Sequence, residues 1–188
     1  MCGGRAVTEG IAEQSPQTKA RIAGVFYLLT IVTGACALFV TGPLASAVLL
    51  ASTVCYVVVT VLFYGLFRPV SRNISALAAV FSLAGCALSI LAFFHPGSLH
   101  LNPLVFFGCY CLVIGYLILR STFLPRVLGA LMALGGLGWL TFIAPPLAAH
   151  LAPYNMLPGV LGETALTVWL LAAGVNGRRW REQANATA

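Results

Sequence analysis

The stretch Arg120–Leu140, RSTFLPRVLGALMALGGLGWL, decides how this chain is read. Arg120 closes one long apolar run, Pro125 breaks the chain, and Arg126 opens the next run. Apolar runs of roughly 20 residues match the thickness of a bilayer's hydrocarbon core. Working outward, the same arrangement repeats. The runs fall at about 22–40, 44–67, 74–94, 104–119, 124–143 and 159–175. The expected fold class is therefore all-α: a polytopic integral membrane protein with six transmembrane helices in one bundle. The expected domain plan is a disordered cytoplasmic tail over 1–20, a transmembrane domain over 21–176 and a basic cytoplasmic tail over 177–188. The stretch 144–158 reads as a Pro-rich loop.

Composition agrees. The chain is 60% hydrophobic and 7% charged, with a mean hydropathy of +0.98. A soluble domain carries about 25% charged residues, so most of this surface must face something other than water. All ten Lys and Arg residues lie in the N-terminal tail, the second-to-third turn, the fourth-to-fifth turn or the C-terminal tail. The alternate connections have none. Basic residues in short loops are retained in the cytoplasm, so both termini are expected inside. The net charge of +6 then reflects membrane-flank anchors, and nucleic acid is not an expected partner. The bilayer is. Five of the six cysteines sit inside apolar runs, where Cys behaves as a small hydrophobe.

Three segments carry a family resemblance: ARIAGVFYLLTIVTG from Ala20, the Arg120 stretch with its SxFLPRxLG core at Ser121–Gly129, and LGETALTVWLLAAGVN from Leu161. Together they resemble the bacterial multi-pass membrane family known only as domain-of-unknown-function family four-three-eight-six. The resemblance implies a multi-pass protein of the bacterial plasma (inner) membrane. It implies no activity and transfers no catalytic residues.

The candidate chemistry is sparse. Glu163 is the one acid within an apolar run. At that depth an ionisable group costs at least ~2.5 kcal/mol unless paired or protonated, so it marks a functional candidate. Gly159, Glu163 and Thr167 recur at i, i+4 and share one helix face. Counting along the other helices puts Ser52, Ser89 and Tyr110 at comparable depth, and a hydroxyl from one of them is the expected partner of Glu163. Ser52, Tyr56, Thr60 and Tyr64 form a polar stripe on the second helix. The expected binding set is thus Glu163, Thr167, Tyr110, Ser89, Ser52 and Tyr56.

Two weaker sets are Arg120 with Arg126, as a lipid head-group site, and His95, His100 and His150, as metal ligands with Glu163. Helix-packing positions are Gly129, Ala133 and Gly136, at i, i+4 and i+7, where small residues let helix backbones approach. No nucleotide-binding loop or other cofactor motif is present, because the glycines of GALMALGGLGW lie within an apolar helix. Two functional readings stand side by side. The favoured one is a non-catalytic bundle that binds a small molecule or lipid, as a transporter-like or sensory component. The alternative is an intramembrane enzyme using Glu163 with the outer histidines, with or without a metal.

Overall fold

Helix α1 begins at Pro16, earlier than the expected disordered tail allows. Ser15 explains the difference. Its hydroxyl accepts the Thr18 N–H at 3.2 Å, and Pro16 occupies the first turn, where its missing N–H costs nothing. The computed structural model describes residues 15–37, 39–95 and 102–186. Residues 1–14 of the expected tail fall outside that range. Among the described residues, all regular structure is helical: α1 (Pro16–Cys36), α2 (Pro43–Phe67), α3 (Arg72–Phe94), α4 (Pro103–Arg120), α5 (Arg126–Leu140), α6 (Pro145–Leu151), α7 (Leu157–Ala172) and α8 (Gly177–Ala186). Short 3₁₀ turns flank α6 at Thr141–Ile143 and Tyr154–Met156.

Five helical segments, the fifth being α5 with its 3₁₀ extension to Ile143, are long and apolar enough to cross a membrane. They have 18 to 25 residues, and at 1.5 Å per residue this is comparable with a core of about 30 Å. A sixth candidate is Tyr154–Ala172, followed by a 105° bend into α8. One expected loop proves more ordered than read. Residues 144–158 contain α6, whose first turn carries Pro145 and Pro146. Residues 177–186 of the expected tail form α8.

The helices pack in chain order, α1 against α2, α2 against α3, α3 against α4, α4 against α5 and α5 against α7. Helix α7 then returns to α1, so six helices close a ring. The α4–α5 seam is close-packed along its length. A Cβ added at Gly136 would stand 2.7 Å from the Gly108 carbonyl oxygen, and one at Gly129 would stand 2.7 Å from that of Gly115. The backbones touch there, as the spacing of Gly129 and Gly136 predicts. Large apolar side chains such as Val61, Val80, Val127 and Leu161 point outward, each more than 60% exposed. An apolar exterior of this kind suits lipid.

The arginine-bearing segments meet at one end of the ring. Gln17 Nε2 on α1 donates to the Ala173 carbonyl at 2.9 Å, and Val175 N–H donates to Gln17 Oε1 at 3.0 Å. Gly174 makes this joint possible, because its φ of +66° is the left-handed value that ends a helix and that side chains disfavour. Helix α8 then lies across the same end. Trp180 Nε1 donates to the Leu66 carbonyl at the end of α2 at 2.8 Å. Thr122 N–H and Oγ1, in the α4–α5 turn, approach Gln183 Oε1 at 3.0 and 3.1 Å.

Candidate functional site

Helix α7 opens with Pro158 in its first turn and carries Gly159, Glu163 and Thr167 on one face. Gly159 and Thr167 are buried, and Glu163 is partly so. The Trp139 ring from α5 lies directly against Gly159, occupying the space a side chain there would need. That contact aims the indole at the next turn of α7. Trp139 Nε1 donates to Glu163 Oε1 at 2.9 Å. From α4, the Cys111 thiol approaches the same oxygen at 3.7 Å.

Three tyrosines complete the centre of the ring: Tyr27 from α1, Tyr56 from α2 and Tyr110 from α4. Tyr27 and Tyr110 are 0% and 1% exposed. Their rings pack edge to face through Tyr56, at 5.8 Å from Tyr27 and 5.7 Å from Tyr110. All three lie within electrostatic range of the Glu163 carboxyl. Yet none of the three buried hydroxyls makes a well-formed hydrogen bond to another described group. The Tyr27 hydroxyl approaches both Glu163 and Tyr56 without achieving that geometry. A buried hydroxyl without a partner carries a desolvation cost of roughly 1–3 kcal/mol. Three of them around one carboxyl make an unusual concentration of unused polarity.

The structure redistributes the expected binding set. Tyr56, Tyr110 and Glu163 come together. Thr167 lies beside them, but its hydroxyl donates to the Glu163 backbone carbonyl at 2.7 Å. Ser52 and Ser89 do not reach the carboxyl. Ser52 Oγ donates to the Thr30 carbonyl of α1 at 3.1 Å, and Ser89 Oγ to the Gly85 carbonyl of its own helix at 2.8 Å. The expected serine or tyrosine partner of Glu163 is therefore corrected to the Trp139 indole, with the Cys111 thiol behind it. Backbone carbonyls one turn away compete for Ser and Thr hydroxyls in helices, whereas an indole N–H has no such local outlet. Trp139, Cys111 and Tyr27 were missed. Trp139 could have been found as a donor-only side chain in an apolar run, where its N–H must seek an acceptor.

The weaker sets separate. His95 and His150 are exposed, and His100 lies outside the described residues. Among the described residues no three metal-ligating side chains gather. Arg126 lines a groove under α8 together with Arg179, Glu182 and Gln183. The Arg120 backbone carbonyl accepts from Gln183 Nε2 at 3.4 Å.

The family described as "Domain of unknown function (DUF4386)" matches residues 91–174. A protein of Archaeoglobus fulgidus, described as an uncharacterized protein, is 31% identical over 130 residues, covering 63% of this chain and 76% of that protein. The chain belongs to the DUF4386 family. No solved structure matches it. The DUF4386 region runs from the end of α3 through α7 and so contains Tyr110, Cys111, Trp139 and Glu163. Tyr27 and Tyr56 lie before it. In this DUF4386 protein the family region thus supplies the acid and its donors, and the preceding helices close the cluster from the other side.

Proposed function

We propose that this protein is a six-span component of a bacterial plasma (inner) membrane, with both termini in the cytoplasm. Its role is non-catalytic: it binds a small molecule or lipid at the centre of the ring, as a transporter-like or sensory component. The observation that carries this reading is the convergence of Glu163, Cys111, Trp139 and three buried tyrosine hydroxyls that make no well-formed hydrogen bond among the described residues. They come from five different helices, and a fold does not gather that much buried polarity merely to pack, because apolar side chains would pack at lower cost. An intramembrane acid facing the bundle interior ordinarily marks a ligand or ion path. The confinement of every Lys and Arg to alternate connections supports the orientation.

The test is a comparison of what co-purifies. Wild type and Glu163→Gln are extracted in the same detergent, and bound small molecules and lipids are identified by mass spectrometry. A species retained by wild type and missing from a folded Glu163→Gln variant supports the reading. Identical inventories overturn it.

A further inference from the structure

Resting on the reading of the ring centre as a ligand site, the geometry points to a narrower chemistry: Glu163 and the hydroxyls of Tyr27, Tyr56 and Tyr110 form a site for a single monovalent cation. The argument starts from charge. The groups facing the Glu163 carboxyl are Tyr27 from α1, Tyr56 from α2, Tyr110 and Cys111 from α4, Trp139 from α5 and Thr167 from α7 itself. None of these is basic. A carboxylate taken out of water needs a counter-charge or a proton, and the protein supplies no counter-charge there. The Trp139 indole and the Cys111 thiol both converge on Oε1, and the Tyr27 hydroxyl approaches the carboxyl without a well-formed bond.

The surroundings then suit a cation and not an anion. Phenol oxygens each offer lone pairs, and oxygen atoms arranged around a small ion replace its hydration shell. Aromatic faces attract positive charge, which favours ammonium groups as well. Alkali ions and ammonium groups share the feature recognised here, one positive charge beside one carboxylate. A proton competes with both: when the carboxyl is protonated the cation leaves, and when the proton departs to bulk water the cation enters.

The experiment uses the full chain in detergent and reads thermal unfolding by tryptophan fluorescence. Sodium, potassium, ammonium and methylammonium chlorides are titrated against N-methyl-D-glucamine chloride at constant ionic strength, at mildly alkaline and mildly acidic pH. A saturable rise in Tm with at least one of the four cations is expected, larger at alkaline pH. A response to sodium or potassium alone assigns an alkali ion. A response to ammonium or methylammonium assigns an ammonium group. Glu163→Gln should abolish the rise, and Tyr110→Phe should weaken apparent affinity by about tenfold, the scale of one lost polar contact to a charge. No cation-specific rise in wild type, or an equal rise in Glu163→Gln, overturns the proposal. If wild type nonetheless retains a co-purified molecule that Glu163→Gln loses, the ligand site stands and only its assignment to a cation falls.

Discussion

Trp139 and Tyr110 make the sharpest contrast between neighbouring residues. Trp139 spends its indole N–H on Glu163, whereas the Tyr110 hydroxyl is buried with no hydrogen-bond partner among the described residues. Removing a donor from a buried acceptor costs stability, while removing an orphan hydroxyl relieves a cost. Trp139→Phe is therefore expected to destabilise the protein by about 1–3 kcal/mol, the range for a bond to a potentially charged group. Tyr110→Phe is expected to be neutral within about 0.5 kcal/mol, or slightly stabilising. Both are measured by denaturant unfolding in detergent with N-methyl-D-glucamine as the only added cation. Equal losses would mean that the tyrosine hydroxyl is already engaged. The sequence alone made Glu163 conspicuous as the single acid in an apolar run, and it placed Tyr56 and Tyr110 in the candidate set. It did not reveal Trp139, Cys111 or Tyr27. Lipid is as apolar as a core, so hydrophobic periodicity does not say which side of a membrane helix faces inward.

Single helices show the same limit and one way around it. Small residues mark contact where apolar residues cannot, and the α4–α5 seam follows from Gly108 and Gly115 meeting Gly136 and Gly129. Gly136→Leu is expected to cost at least about 2 kcal/mol, because the backbone opposite cannot give way. Leu134→Phe, on the same helix at a position 55% exposed, should fall within about 0.5 kcal/mol of wild type. Comparable unfolding midpoints for the two would place the seam elsewhere. The polar stripe of α2 was legible as a stripe, but its purpose was not. Residues four apart advance 40° around a helix, so the stripe sweeps across neighbours. Ser52 bonds to α1, Tyr56 reaches the centre, and Thr60 meets Ser82 of α3 at 2.5 Å. Elements with their own capping chemistry were underread for a different reason. Ser15 and the proline pair at 145–146 are helix-start signals, yet the tail and loop reading passed over them.

At the scale of the molecule, the alternation of arginine-bearing and arginine-free connections was the most legible feature, and it yields the orientation to test. With native cysteines replaced, Ala149→Cys on α6 should react with an impermeant thiol reagent in intact cells. Asn185→Cys on α8 should react only after lysis. The reverse pattern would invert the molecule. The ring itself carries a consequence for how the protein is made. Each of the second to fifth long helices packs on the one synthesised just before it, so a nascent chain can add them one at a time as it leaves the ribosome. The return of α7 to α1 closes the ring. Glu163 arrives with that last helix, long after Tyr27 and Tyr56 are in place. A chain still lacking α7 has no acid at the ring centre, and the bilayer receives the charge-bearing helix only when the surroundings that shield it already exist.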